Sequence, residues 1–522
     1  MGKKVWASAV DGKEKAVTEL MRAKNLPRPV AMYLVARGIE LSEVDFYFKS
    51  ALSDLSDPYN MPGMNVAVER LWRAIKNRER ILIHGDYDTD GITATALMAW
   101  VLERNGAVVS SFLPHRFDDG YGFTPESLAK SLESSGGPCG VLVTVDCGIN
   151  SVEAVTDANS RGIDVIITDH HEPAEEIPKA LAILNPKLYP EMKYLHQLSG
   201  VGVAFKLGHA FVKYGREMNL GGYATDLHEV LDFVALGTVA DIVPLLGENR
   251  ILVKHGMSVL RKQLRPGIRA LIEVAKVDAM LKPSDITFKL APRINAAGRL
   301  GNAITALDLL NSANIVDAYK NADMLEQFNM KRQAKEQEIF TEAKRQVESD
   351  LNFRKSIAIL AAGDSWHQGV IGIVASRFAR DYNRPTIVLT INGEEAHGSG
   401  RSVGGLNMIK ILSKCSHLLT RFGGHPMAVG LGLHKNNIAE FHKEFEEQVR
   451  LEMSPSDLVD RISYDGTVDI RELDDNFFGM YESLSPFGHG NSQPSYRINS
   501  MEVIKTFPIK AGHTRGIMRD SS

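Results

Sequence analysis

Ile163-Asp-Val-Ile-Ile-Thr-Asp169-His170-His171 decides the fold, because this apolar, β-branched run ends in a carboxylate and two imidazoles. Two upstream stretches have the same form. Val141-Leu-Val-Thr-Val145 runs into Asp146-Cys147-Gly148, and Ile81-Leu-Ile-His84 runs into Gly85-Asp86-Tyr87-Asp88-Thr89-Asp90-Gly91. Short buried strands that each close on an acid and then a turn are the pattern of a parallel sheet delivering ligands at its carboxyl ends.

The side chains so delivered suit a metal. Hard divalent cations take oxygen ligands, and imidazoles added to carboxylates shift the preference toward Mn²⁺ without excluding Mg²⁺. A fourth acid, Asp241, closes Leu231-Asp-Phe-Val-Ala-Leu-Gly-Thr-Val-Ala-Asp241, a segment apolar enough to be a buried helix. Asp86, Asp88, Asp146 and Asp241 with His170 suffice for two ions about 3.5 to 4 Å apart, the usual arrangement for phosphoryl cleavage. Calcium fits poorly, since a strand enters the Asp86 loop and no glutamate stands at its twelfth position. Each piece alone has an ordinary reading: a solvated turn, a surface or core histidine pair, or Asp146 as a helix cap. Their conjunction within 91 residues, 81 to 171, favours the metal site.

These residues resemble the DHH phosphoesterases. Gly85-Asp86-Tyr-Asp88-Thr-Asp90-Gly91, Val145-Asp146-Cys-Gly148, Asp169-His170-His171 and Gly237-Thr-Val-Ala-Asp241 look like the four motifs of that superfamily. Within it, the resemblance is strongest to the RecJ family of single-strand-specific exonucleases. It continues through Ala291-Pro-Arg293-Ile-Asn295-Ala-Ala-Gly-Arg299-Leu, Trp366-His367-Gln-Gly369-Val-Ile-Gly372, Gly398-Ser399-Gly400-Arg401-Ser402 and Gly423-Gly424-His425-Pro-Met-Ala428, and so covers most of the chain.

The composition of the 522 residues, 44% hydrophobic and 24% charged, is ample for two or three cored domains. No apolar run approaches a membrane span, the amino terminus lacks a long apolar signal region, and Trp6 stands where a myristoylation signal wants Ser or Thr. Cys139, Cys147 and Cys415 are too few and scattered for a disulfide framework, so a cytoplasmic location is expected. Net charge −4 argues against indiscriminate coating of nucleic acid, yet allows a local basic channel. Arg377, Arg380, Arg384, Arg401, Lys410, Lys414 and Arg421 cluster in the second half; a solvated charged face is the ordinary alternative.

The expected class is α/β: two α/β lobes joined by a long helix, with a carboxyl-terminal β module. Residues 1–50 read as a helical appendage broken at Leu26-Pro-Arg-Pro29, and residues 51–313 as the DHH domain, in which strands and helices alternate. Residues 314–352 have no proline or glycine and read as a long connector helix acting as spacer and hinge. Residues 353–452 resemble the DHH-associated domain, and 453–522 an OB-like nucleic-acid-binding module shorter than the family's barrel, hence incomplete, differently closed or truncated. Phe477, Phe478, Tyr481, Phe487 and Tyr496 are candidates there for base stacking, against the ordinary role of core aromatics.

The resemblance implies a 5′ to 3′ exonuclease that cleaves single-stranded DNA to 5′ mononucleotides in repair and recombination. Asp86, Asp88, Asp146, His170 and Asp241 are its expected metal ligands, for two Mn²⁺ or Mg²⁺ ions that lower the pKa of an attacking water and stabilise the leaving oxygen. His171 is expected to contact phosphate oxygens or orient a ligand, as His84 does at longer reach, and Asp90 to fix the loop. Arg116, Ser399 and Arg401 are expected to bind the terminal phosphate, with salt bridging of Arg116 to Asp118 or Asp119 as the ordinary alternative. Arg293, Asn295 and Arg299 are expected to line the strand's path, and Gly423, Gly424 and His425 to form a nucleotide-binding turn. Single-stranded DNA, a helicase and a single-strand-binding protein are the implied partners of a monomer. The alternatives are a phosphoesterase for short oligonucleotides or cyclic dinucleotides, and a DNA-binding scaffold that has lost its ligands.

Overall fold

The computed structural model describes residues 5–49, 51–116, 122–278, 280–350, 353, 355–454, 457–459, 461–509 and 513–520. The chain divides into two compact units, one of Ser8–Glu326 with Tyr464–Ser522 and one of Met1–Ala7 with Gln327–Ser463.

The larger unit is built on a parallel five-stranded sheet of β1 (Arg80–His84), β2 (Val108–Phe112), β3 (Cys139–Val145), β4 (Asp164–Thr168) and β5 (Ala182–Leu184), in the order β2-β1-β3-β4-β5. Ile81, Leu82 and Ile83 of β1 and Val141, Leu142 and Val143 of β3 are wholly buried, which is why these strands read as continuous apolar runs. One sheet face packs on Leu128, Ala154, Val155 and Ala158. Helices α1 (Thr89–Arg104), α2 (Pro125–Ser134), α3 (Gly200–Glu217), α4 (Leu231–Ala240) and α5 (Ala291–Leu300) position the site. In α4 every residue from Leu231 to Val239 is buried, as expected of a helix apolar on all sides.

The order β2-β1-β3 places a topological switch between β1 and β3. The chain leaves β1 by α1 toward β2, then returns by α2 across to β3, so the two crossovers part and leave a crevice at the strand ends. His84 pairs with Thr144 and Val145 with Thr168, so Asp86, Asp146 and Asp169 emerge side by side from three neighbouring strands.

Helix α6 (Ile315–Ser349) matches the expected connector, but it is not a bare spacer. Ala318, Ala322 and Leu325 are buried in the larger unit; Ile339, Phe340, Ala343 and Val347 are buried in the smaller, and the division falls within the helix at Glu326. The smaller unit holds β6 (Ile359–Asp364), α7 (Gln368–Tyr382), β7 (Thr386–Asn392), β8 (Glu395–Arg401), β9 (Arg421–His425) and β10 (Ala428–His434), in the sheet order β9-β10-β8-β7-β6. Ile387, Leu389, Ile411, Phe441 and Phe445 centre its core. Among the described residues no helix is long and apolar enough to cross a membrane.

The expected appendage and the expected OB-like module require a correction, because they share one core. Helices Glu14–Lys24 and Arg28–Ala36 contribute Val17, Leu20, Val30 and Leu34 to a cluster completed by Val468, Phe477 and Leu484. Buried Asn491 accepts hydrogen bonds from the Tyr33 and Tyr47 hydroxyls and donates to the carbonyls of Leu484 and Pro486. Among the described residues the late strands form a small sheet module but pair only in twos: Gly466–Val468 with Tyr496–Ile498, and Met501–Pro508 with Thr514–Asp520. They close no barrel, because the apolar side chains of this stretch cover the amino-terminal helices instead of one another. Phe477, Tyr481, Phe487 and Tyr496 lie in or against that core rather than on a stacking surface, while Phe478 is exposed.

Candidate metal centre

Asp88 caps α1, its carboxylate accepting from the backbone N–H groups of Asp90 and Gly91, and this tight turn brings Asp86, Asp88 and Asp90 within one helical start. Only glycine fits at 91: a Cβ there would stand 2.6 Å from the backbone nitrogen and oxygen of Asp86. Asp146, on the next strand end, adopts a left-handed backbone (φ 61°) that turns its carboxylate across the crevice. Gly200 opens α3 so close to that carboxylate that any side chain would collide with it.

His170 gathers the acids. Its Nε2 lies 3.2 Å from Asp146 Oδ1, 3.5 Å from Asp241 Oδ2 and 4.0 Å from Asp90 Oδ2. Three groups of ligating atoms result: Asp86 with Asp88 and Asp146; Asp146 with His170 and His171; and Asp90 with His170 and Asp241. They overlap at Asp146 and His170, which is the pattern of a site for two ions. Asp86 Oδ1 and Asp146 Oδ1 are buried and accept no hydrogen bond, so both oxygens fit a cation as their partner. Burial raises Asp86 to about 7 with help from the charge of Asp88, and raises Asp90 to about 7 for the same reasons. Burial and the surrounding carboxylates hold Asp146 and Asp241 well above the usual range. A cation relieves that repulsion.

The histidines diverge. Burial and the charge of His171 push His170 down to about 3, leaving it a neutral ligand. Burial also opposes charge on His171, but the hydrogen bond and charge of Asp169 outweigh it and raise His171 to about 9. Asp169 accepts from His171 Nδ1 at 2.7 Å and from the backbone N–H groups of Ile149, His170 and His171.

Several sequence expectations change here. His84 reaches no phosphate position: its ring is fully buried between Phe112 and Phe123, with Nε2 3.0 Å from Ser127 Oγ. Asp90 does fix structure, accepting from Gly200 N and Val201 N at the start of α3, and the Oδ2 that takes Gly200 N also lies 4.0 Å from His170 Nε2, in a ligand group with Asp241. Asn295 accepts from Thr89 N and Thr89 Oγ1, so it holds the acidic loop from α5 rather than lining an open path. Arg293 is largely buried against Glu326 and donates to the Lys289 carbonyl. Arg299 is partly exposed, and its charge acts on Tyr87. Sequence reasoning gave Asp169 no role although it stands in the motif itself, and missed Gly200 and Val201, whose contribution is a pair of backbone N–H groups.

Residues 80–238 match the DHH family, N-terminal domain, and residues 354–451 match the DHHA1 domain. The single-stranded-DNA-specific exonuclease RecJ of Dickeya dadantii (strain 3937) is 38% identical over 496 residues, covering 92% of this chain and 84% of the relative. The chain belongs to the RecJ family of metal-dependent exonucleases. RecJ of Bacillus subtilis (strain 168) is 35% identical over 98% of this chain, and this chain spans 63% of that relative's length. RecJ from Thermus thermophilus in complex with Mn²⁺ superposes with a TM-score of 0.80 at 28% identity, over 97% of this chain and 72% of that one. Its complex with Mg²⁺ gives 0.71 at 25% identity, over 97% and 76%.

The remaining expected RecJ-type residues fall in both units. Arg116, in the larger unit, lies with its guanidinium 5.1 Å from the centroid of the Tyr87 ring; its alternative partners Asp118 and Asp119 lie outside the described residues. In the smaller unit Arg401 donates to Ser399 Oγ, Ser376 Oγ and the Gly400 carbonyl, a polar cluster against Gly372 of α7. Gly423, Gly424 and His425 lie on the exposed edge strand β9, a strand rather than the turn expected. The expected basic cluster is paired only in part: Arg377 and Arg380 share Asp381, Lys410 and Lys414 share Glu452, and Arg384 donates to the Phe353 carbonyl.

Proposed function

We propose that this chain degrades single-stranded DNA from its 5′ end, hydrolysing phosphodiester bonds to release 5′ mononucleotides. The observation that carries the reading is the pair of orphaned carboxylate oxygens, on Asp86 and Asp146, inside ligand groups that overlap at Asp146 and His170. Asp86, Asp88, Asp146, Asp241 and His170 would hold two Mn²⁺ or Mg²⁺ ions, and Asp90, already turned toward His170, would complete the set at Asp241. Such ions, when bound, supply Lewis acidity toward the phosphate and a water of lowered pKa.

The chain's own residues set geometry. Asp88 and Gly91 fix the acidic turn, Asn295 holds Thr89, and Asp169 orients His171 beside Asp146, where it would meet the phosphate's non-bridging oxygens. Arg116, Ser399 and Arg401 would take the terminal 5′ phosphate and so set polarity, with Arg299 along the strand. A DNA substrate and three free cysteines fit a cytoplasmic location. A helicase and a single-strand-binding protein are the partners that would supply unwound strands to a monomer.

The test is digestion of long single-stranded DNA labelled at either end, in Mn²⁺, Mg²⁺ or chelator, with Asp146→Ala beside the parent. Metal-dependent release of mononucleotides from the 5′ end, lost in the variant, is expected. Hydrolysis of dinucleotides without attack on long strands would move the reading to a small-substrate phosphoesterase.

A further inference from the structure

Ile242 follows Asp241, the residue that caps α4, and there the backbone turns left-handed (φ 61°) to end the helix. That position ordinarily takes glycine or asparagine, because a β-branched side chain there collides with its own backbone. The other non-glycine residues with positive φ among those described are Asn25, Arg78, Asp146, Asn219, Gln263, Lys276, Ser365, Asn383 and Ser500, none of them β-branched. Strain of this kind persists where burial repays it, yet Ile242 is 55% exposed. An exposed aliphatic residue is ordinary on a surface, and so is a strained residue in a core. Exposure and strain together, one residue from a carboxylate of the metal centre, leave the side chain without a folding reason.

We infer that Ile242 is a substrate-positioning residue: its apolar side chain packs against the sugar and base of the nucleotide whose phosphate sits at Asp241 and His170. This rests on the exonuclease reading above. The turn is held from both sides, by the Asp241 N–H to the Gly237 carbonyl and by the Leu245 N–H to the His489 carbonyl, so the backbone that carries Ile242 is fixed before substrate arrives. Pro244 in the same turn limits its freedom further. A preset apolar surface beside the metals lowers the ordering cost of seating a flexible single strand.

The experiment compares the parent with Ile242→Asn, Ile242→Gly and Ile242→Val, measuring thermal stability and the KM and kcat for single-stranded DNA in Mn²⁺. Asn accepts the left-handed backbone, so its Tm is expected to rise by about 1–2 °C. KM is expected to rise about tenfold in the Asn and Gly variants with a smaller change in kcat, and the loss is expected to be smaller in Val, which keeps the branched apolar surface. A higher Tm with unaltered KM would make Ile242 a turn residue only, and a lower Tm in both Asn and Gly would make it a structural one; either overturns the inference. A parent that digests no single strands removes the exonuclease reading itself, a result visible before any variant is compared.

Discussion

Asp169 Oδ1 stands 2.7 Å from His171 Nδ1, and the same carboxylate gathers the backbone N–H groups of Ile149, His170 and His171. One buried acid thus orients the loop that carries both histidines. Asp169→Asn replaces an acceptor oxygen with a donor that faces N–H groups. We expect kcat/KM on single-stranded DNA to fall about 10–100-fold and folding stability to fall by about 1–3 kcal/mol. Parallel kinetics and urea unfolding check both, and an unchanged rate would remove the orienting role.

Asp146 is packed against Asp86, Asp88 and His170 with an oxygen that accepts no hydrogen bond. In chelator, Asp146→Asn should melt higher than the parent, since it removes one buried charge from a crowded acidic site. With Mn²⁺ at a hundred times its dissociation constant the parent should gain about 2.7 kcal/mol and the variant much less. Calorimetric scans with and without Mn²⁺ decide it; the same order of melting in both conditions counts against a metal centre here.

Asn295 joins α5 to the acidic turn through two hydrogen bonds to Thr89. Asn295→Ala should cost about 1–2 kcal/mol and weaken Mn²⁺ binding about tenfold or more. Titration calorimetry measures the affinity directly. If KM for DNA rose while Mn²⁺ affinity stayed the same, Asn295 would line the strand's path after all.

His209 lies away from the metal centre, beside a cavity of about 490 Å³ lined by Leu52, Leu55, Phe205 and Leu231. Burial, then Lys206 and Lys213, push its imidazole down to about 4, against the weaker pull of Asp57 and Glu248. Between about pH 6.5 and 4 the unfolded chain therefore binds the proton and the folded chain does not. Stability is full above pH 6.5 and declines as pH falls toward 4, by roughly 2–3 kcal/mol. His209→Leu should lose that part of the slope. Urea midpoints measured across this range would show it, and parallel curves for the two proteins would refute it.

The strand ends were legible because their signal is local. A buried parallel strand must be apolar along its length, so an acid that closes it stands out; Asp86 and Asp146 were found in that way, and Asp241 by the same contrast at the end of an apolar helix. The long helix was equally plain, since its run lacks proline and glycine. Roles set by distant partners were not legible. His84 continues an apolar strand and reads as a site residue, yet Ser127 and two aromatic rings enclose it. Asn295 reads as a strand contact because nothing in its own neighbourhood names Thr89, more than two hundred residues away.

By itself the sequence determined the α/β class, the parallel strands and the acids and histidines at their ends, because periodicity, turn chemistry and ligand type act over a few residues. Tertiary structure alone decided that the Ile149 N–H reaches Asp169, that α3 opens against Asp90, and that Tyr33 and Tyr47 close over Asn491. The physical reason is that an apolar pattern states which side chains must be buried and leaves open which surface buries them. Hydrogen-bond partners are then assigned only when packing brings remote segments together.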